Sequence, residues 1–231
     1  MSKTTFAYTG CENLEVMADA DNYNNFLVEL VASQLNGKGS GKVLDFGAGT
    51  GTYAKMLSKK GVKIDCLEPD ASLQKALKKD GFNVLKGSNE LKANTYDLIY
   101  SLNVFEHIED DFAEVAKLQK ALKKGGRLVI YVPAYQILFS SMDKQVGHFR
   151  RYRAKRLRMM AEHAGININR LAYYDPIGFF AAFAYRLFGG GGVLNPKSVR
   201  LYDKYAFPFS KTLHPVTKKF IGKNAILVAE K

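Results

Sequence analysis

Val43-Leu44-Asp45-Phe46-Gly47-Ala48-Gly49-Thr50-Gly51-Thr52 is the stretch that decides the fold class. A short apolar run ends in an acid and then in glycines at positions 47, 49 and 51. This pattern reads as a buried strand entering a tight loop, with a helix opening near Thr52. Glycine accepts positive φ and carries no side chain, so a ligand can approach the backbone closely. A dinucleotide-binding loop needs G-x-G-x-x-G, its third glycine allowing close helix–strand packing. Counted from Gly47 the third position is Thr52, and counted from Gly49 it is Ala54, which such loops sometimes accept. That weakens the dinucleotide reading without closing it. Asp45 speaks against it further, because an anion at the loop mouth repels pyrophosphate and suits an ammonium group.

Strand and helix signals alternate outward from this loop. Val62–Leu67, Phe82–Leu85, Tyr96–Leu102 and Arg127–Val132 read as further strands, the last stopped by Pro133. Between them lie helices over Thr52–Lys60, from Asp70 to about Lys79, and from Asp110 or Asp111 to about Leu122. Asp70 can cap its helix by accepting free amides of the first turn. Gly81 closes that helix, and Gly125-Gly126 are expected to end the next one. The alternation implies a mostly parallel sheet with helices on both faces, an α/β fold. An amphipathic helix over Asn22–Leu35, with Phe26, Leu27, Leu30 and Val31 on one face, precedes the sheet, and residues 36–41 form a linker. Ala154–Ala164 is a further helix, closed by Gly165, and Ile166–Tyr174 and Ala225–Glu230 are the last strands.

The 231 residues make about one large domain with a sizeable core, and a hydrophobic content of 47% is ordinary for a globular chain. Net charge is +12 and the sequence pI about 9.5. That balance favours nucleic acid, anionic lipid or an anionic small substrate without choosing among them. Cys11 and Cys66 have no metal-ligand spacing and read as reduced thiols of a cytoplasmic protein. Residues 1–5 have no signal-peptide character, and no apolar run is long enough to span a bilayer.

With the glycine loop, Asp45, the strand end Leu67-Glu68-Pro69-Asp70 and the segment Asn103-Val104-Phe105-Glu106-His107-Ile108, the chain resembles class I S-adenosylmethionine-dependent methyltransferases. The resemblance runs through residue 174 and is weaker beyond it. It implies a Rossmann-like, seven-stranded sheet whose last strand is antiparallel, S-adenosylmethionine as cofactor, and a single methyltransferase domain over 1–231. Residues 1–41 then form an N-terminal helical cap. The fifty residues over 175–224, far more than a hairpin needs, form a helical insertion: a lid over the active site, or an extra packing layer.

The cofactor-side candidates are Asp45, Gly47, Ala48, Gly49, Gly51, Glu68, Pro69 and Asn103. Glu68 follows Gly51 by 17 residues, near the spacing at which an acid meets ribose hydroxyls. Related proteins place an aspartate near the adenine amino group; here Ser88 or Asn89 stands in that region. In a bacterial group that the N-terminal stretch resembles, an aromatic residue closes over the methionine end of the cofactor. Tyr23 matches that role, and Tyr8 is a second candidate on the substrate side.

After the fifth strand comes Pro133-Ala134-Tyr135, then Phe139-Ser140-Ser141-Met142-Asp143-Lys144-Gln145-Val146-Gly147-His148-Phe149-Arg150-Arg151-Tyr152. The polar, aromatic loop resembles group members of glycan and lipid-linked pathways. His148 is the first candidate for a general base and His107 the second, because an imidazole titrates near neutrality. Arg150 or Arg151 can grip a carboxylate or phosphate, and Tyr135 joins the substrate side. No metal-ligand cluster is recognisable, so no metal is expected. The reading is methyl transfer to a small-molecule or lipid- or glycan-linked acceptor, preferably on oxygen. The absence of an Asn/Asp-Pro-Pro-aromatic motif lowers the nucleic-acid alternative. A non-catalytic cofactor-binding or membrane-surface module, with peripheral membrane contact through the insertion, is the other alternative.

Overall fold

The computed structural model describes residues 16–35, 41–188 and 195–231. Tyr8, Cys11, the linker at 36–40 and the glycines 189–192 lie outside the described residues. One sheet holds seven strands: β1 (Lys42–Phe46), β2 (Lys63–Leu67), β3 (Asn83–Leu85), β4 (Tyr96–Leu102), β5 (Leu122–Pro133), β6 (Asn167–Tyr174) and β7 (Asn224–Glu230). Their spatial order is β3-β2-β1-β4-β5-β7-β6. The first five run parallel, and β7 is antiparallel to both β5 and β6, as the resemblance implied. Strand order reverses between β1 and β4, and a crevice at such a switch point is where open α/β sheets bind ligands.

Helices cover both faces, so the central strands are buried on both sides and read as near-continuous apolar runs. Successive side chains point to opposite faces. In β5, Val129 and Tyr131 join one core while Leu128, Ile130 and Val132 join the other. In β7, Ile226 and Val228 alternate in the same way with Ala225, Leu227 and Ala229. The first core is closed by α1 (Asp21–Ala32), α2 (Thr52–Ser58) and α3 (Ala71–Lys79); the second by α4 (Asp111–Ala121) and α6 (Ala154–His163). Helix α5 (Ser141–Gln145) is a single short segment between β5 and α6.

Local signals set most boundaries. Asp70 Oδ1 accepts the amides of Ser72 and Leu73 at the start of α3, and Asp110 caps α4 through Ala113. The expectation that Gly125-Gly126 end a helix fails. Helix α4 stops at Ala121, and β5 begins at Leu122 and contains both glycines. Gly125 has φ +74, and a Cβ on Gly126 would lie 2.8 Å from the Lys123 carbonyl oxygen. The pair therefore makes the bulge at which β5 shifts register against β4.

The segment after β6 is helical: α7 (Pro176–Phe188), α8 (Pro196–Leu201), a π-helical turn over Tyr202–Ala206, and α9 (Phe207–Thr217). Two buried acids fasten it. Asp175, at φ +62, accepts the hydroxyls of Tyr202 at 2.5 Å and Ser210 at 2.7 Å. Asp203 accepts the backbone amides of Asn22 and Tyr23 at 2.9 Å, satisfying the start of α1, which has no side-chain cap of its own. Among the described residues no helix is long and apolar enough to cross a membrane.

Candidate active site

A cleft of about 860 Å³ opens beyond the carboxyl ends of β1, β2, β4 and β5 and is bordered by α1, α7 and α8. Its floor is the glycine loop. Gly47, Gly49 and Gly51 all have positive φ, which is why glycine stands at these alternate positions. The amides of Gly47 and Ala48 donate to the Leu67 carbonyl, tying the loop to the end of β2. Glu68 completes the tie, accepting the Gly49 amide on Oε2 at 2.8 Å and the Asp70 amide on Oε1 at 2.9 Å. Burial raises the Glu68 carboxyl above its ordinary value and these two amides oppose the shift. Gly51 is not part of the cleft wall. A Cβ there would lie 2.7 Å from Leu77, so its role is the turn into α2 and packing on α3.

Asp45 lies under the loop, 2% exposed, and its Oδ2 has no hydrogen-bond partner. Burial pushes its carboxyl up to about 7, with Tyr100 lowering it in part and Glu68 raising it further. A buried acceptor lining a cleft without a donor is a site for a cationic or N–H-bearing group. Tyr23 reaches the cleft from α1 and Asn103 from the end of β4; Asn103 Nδ2 donates to the Tyr23 hydroxyl at 3.4 Å. Asn103 sits at φ +56, a conformation asparagine tolerates better than most residues. Pro69, Leu67 and Leu102 also line the cleft. Ser88 does not. It sits in a short 3-10 turn where its hydroxyl meets Lys117 Nζ at 3.2 Å. Leu67, Pro69 and Leu73 wall the cleft by β2 and α3 instead.

The other half of the cleft is built on Asp143. Its carboxylate, fully buried, accepts Nδ1 of His148 at 2.7 Å, Nε and Nη2 of Arg151 at 2.8 and 2.9 Å, and the amide and hydroxyl of Ser140. These donors hold its carboxyl far below the usual carboxylate range despite burial. An ionised carboxylate only accepts, so His148 Nδ1 carries the proton and a neutral ring keeps its lone pair on Nε2. Nε2 lies 3.9 Å from Glu106 Oε1. Glu106 Oε2 is buried without a hydrogen-bond partner, and burial lifts this carboxyl to about 7. His107 packs edge-on against His148 with ring centroids 4.6 Å apart, and its ring is tied to the backbone at Gly147. Burial and the neighbouring His148 push His107 down to about 4. One ligand atom from each of Glu106, His107 and His148 lies within 4.8 Å of the others, a grouping of metal-ligand type that sequence spacing did not reveal.

The structure corrects the substrate-side readings. Arg150 is spent on the protein: Nη1 donates to the Ile108 carbonyl at 2.6 Å, Nη2 to the Glu109 carbonyl at 2.9 Å, and it pairs with Asp111. Arg156 and Tyr152 meet the same Asp111. This basic run thus clamps the segments after β4 and β5 together. Arg151 is held by Asp143, yet its Nη1 is buried without a partner and lines the cleft. Tyr135 turns away at φ +59; its hydroxyl donates to the Phe220 carbonyl and its ring stacks on Tyr173 at 4.7 Å. Lys223, directly before β7, was not singled out from sequence and lines the cleft beside Asn224. Burial lowers the Lys223 ammonium, Arg151 adds to that, and Asp175 and Asp143 oppose it.

A sheet in this order, with a glycine loop at its switch point and a buried acid beneath the loop, defines the class I methyltransferase fold. The chain belongs to the methyltransferase-domain family, whose model matches residues 20–171. It is 32% identical over 109 residues to an uncharacterized methyltransferase of Bacillus cytotoxicus, across 44% of this chain and 51% of that protein. The chain thus spans about half the length of the curated relatives it matches. Among solved structures it resembles phosphoethanolamine N-methyltransferase 2 of Haemonchus contortus in complex with S-adenosyl-L-methionine. There the TM-score is 0.64 and the identity 14%, over 99% of this chain and 58% of that one. It also resembles geranyl diphosphate C-methyltransferase of Streptomyces coelicolor in complex with Mg2+, geranyl diphosphate and S-adenosyl-L-homocysteine. That TM-score is 0.61 and the identity 13%, over 89% of this chain and 78% of that one. Family and neighbours make S-adenosylmethionine the cofactor. The residues fit it, since the glycine loop bares its backbone and Asp45 offers a buried acceptor without a donor.

Proposed function

We propose that the protein transfers a methyl group from S-adenosylmethionine to an oxygen of an anionic, partly apolar acceptor. The observation that carries this reading is the meeting of Lys223 and Arg151 Nη1 with the His148–Asp143 pair in one cleft. Asp45 receives the ammonium of the cofactor, and Glu68, whose oxygens each keep a further lone pair, receives the ribose hydroxyls. Tyr23 and Asn103 border the methionine end. The cofactor, when bound, supplies an electrophilic methyl carbon on a sulfonium. The protein holds the acceptor oxygen in line with that carbon, and this alignment accounts for much of the rate advantage. As the acceptor oxygen bonds to the methyl carbon, that carbon's bond to the sulfonium sulfur would break with its electron pair left on sulfur, and the acceptor's proton would pass to His148 Nε2, while Asp143 keeps the ring oriented and stabilises the imidazolium. Lys223 and Arg151 hold a carboxylate or phosphate of the acceptor. Helix α7 supplies the apolar wall through Gly178, Ala181 and Ala182, which supports a lid role for 175–224. The nucleic-acid reading loses ground, because much of the basic charge at 150–156 is paired with Asp111 and Asp143.

Lys223 is the residue to test. Removing Arg151 would strand the buried Asp143 charge and cost about 3–5 kcal/mol of stability, which confuses the result. Lys223→Met is expected to raise KM for an anionic hydroxyl acceptor by roughly tenfold or more, the value of a charge-assisted hydrogen bond. Cofactor affinity, read by calorimetry, should not change. A panel of hydroxyl compounds with and without a carboxylate or phosphate, scored by formation of demethylated cofactor, identifies the class. Preference for neutral acceptors, or an unchanged KM in the variant, overturns the anionic assignment.

The raised Asp45 carboxyl makes cofactor binding pH-dependent. The free protein holds a proton on Asp45 below about pH 7, and the ammonium requires that proton to leave. Affinity is therefore expected to rise with pH up to about 7 and then level, by up to about tenfold per unit on the acid side. Calorimetry across this range checks it. Glu106 shares the same range, so Asp45→Asn decides the origin: the slope should vanish. A slope that persists belongs to another group, and a flat profile in the unaltered protein removes Asp45 from the ammonium site.

A further inference from the structure

The helices after β6 turn one side to the cleft and another outward, and the outward side is apolar. Phe188 is 87% exposed, Val216 80% and Phe220 75%, with Leu201, Tyr205 and Phe209 each around 60%. Phe220 stands in the turn just after α9, and Leu201, Tyr205, Phe209, Leu213 and Val216 recur at three- to four-residue steps along the helical run from α8 through α9. That spacing places them in one stripe. Phe180 and Leu187, two turns apart, share one side of α7, with Phe188 beside them at its end, and α7 packs against α9. Among the described residues only Ile137, Phe149 and Met159 are comparable exposed side chains elsewhere. Monomeric proteins rarely leave so continuous an apolar patch to water, and such patches mark interaction sites.

Charge selects the occupant. Residues 176–223 contain eight basic residues and one acid, Asp203. Asp203 is buried against α1, so the surface of this region carries no acidic side chain among the described residues. A second copy would bring two like-charged faces together, which opposes association. An apolar stripe flanked by Lys204, Lys211, Lys218 and Lys219, with Arg200 already paired to Asp19 at 3.7 Å, matches both parts of an anionic bilayer, its acyl boundary and its headgroups. None of these helices is long and apolar enough to cross it, so contact would be made in the plane of the interface.

We propose that the face formed by α7, α8 and α9 seats the protein on an anionic lipid surface. The proposal does not depend on the acceptor chemistry above, although the same helices line the cleft and would put its opening near lipid. Sedimentation with vesicles tests it. The protein is expected to sediment with phosphatidylcholine vesicles containing roughly a third phosphatidylglycerol, at least tenfold more strongly than with phosphatidylcholine alone, and to be released by high salt. The double variant Val216→Asp, Phe220→Asp should lose at least tenfold in binding, and Lys218→Glu, Lys219→Glu should remove the preference for phosphatidylglycerol. Unchanged calorimetric binding of S-adenosylmethionine shows that the variants remain folded around the cleft. Binding that ignores lipid charge and survives both variants overturns the proposal. So does failure to bind vesicles, whether or not ultracentrifugation shows a dimer; a dimer dissolved by Val216→Asp, Phe220→Asp would give the face to a second copy.

Discussion

His148→Asn is expected to lower the methyl-transfer rate by roughly 10²–10⁴-fold while leaving cofactor affinity unchanged. Asparagine can still donate to Asp143, so the buried carboxylate is not stranded and the cleft keeps its shape. What disappears is the lone pair on Nε2, the atom to which we assign the acceptor's proton. Single-turnover rates with an acceptor from the panel, together with calorimetry of S-adenosylmethionine, separate the two effects. His107 is the weaker candidate for this role, because burial lowers it to about 4, which makes it a poor proton acceptor, and its ring is tied to the Gly147 backbone. A near-normal rate in His148→Asn would return His148 to an orienting role or indicate an acceptor already ionised. Loss of activity in the unaltered protein on treatment with a chelator would instead make Glu106, His107 and His148 a cation site.

Gly49→Val is expected to abolish cofactor binding. Gly49 has φ +55, where a β-branched side chain is a conformational outlier, and its backbone faces the cleft. Its amide is also one of the two that hold Glu68. Left-handed backbone costs about 1–2 kcal/mol for an ordinary residue. The chain has two full cores to absorb that, so circular dichroism should report a folded protein. Calorimetry should then show no heat of binding for S-adenosylmethionine or its demethylated product. Binding within a few-fold of the unaltered protein would remove the loop from the cofactor site.

The glycine-loop half of the cleft was legible because it is local. Asp45, the loop glycines, Glu68 and Pro69 lie at the ends of two adjacent parallel strands, and their placement follows from strand register and backbone conformation. Ser88 stands outside the cleft lining, because position after β3 does not fix side-chain direction. The acceptor half depends on contacts between distant segments. Arg150 and Arg151 are neighbours with the same chemistry in sequence, and only packing sends one to Asp111 and turns the other's Nη1 toward the cleft. Asp143 carried a faint signal, since Ser140 three residues before it makes a capping box. Nothing marked it as the partner of His148.

The sequence by itself determined the α/β class, the strand limits of β4, the caps of α3 and α4, and the glycine loop that floors the cleft. Each rests on periodicity, capping or glycine conformation, which act within about ten residues. Tertiary structure alone brought Lys223 to Arg151, His107 and Glu106 to His148, and Asp203 to the start of α1. These groups are 72, 41 or more, and 181 residues apart respectively, and no local pattern encodes such a meeting. It follows from the antiparallel return of β7 along β5, from the two post-strand segments locked on Asp111, and from the helices that fold back over the sheet.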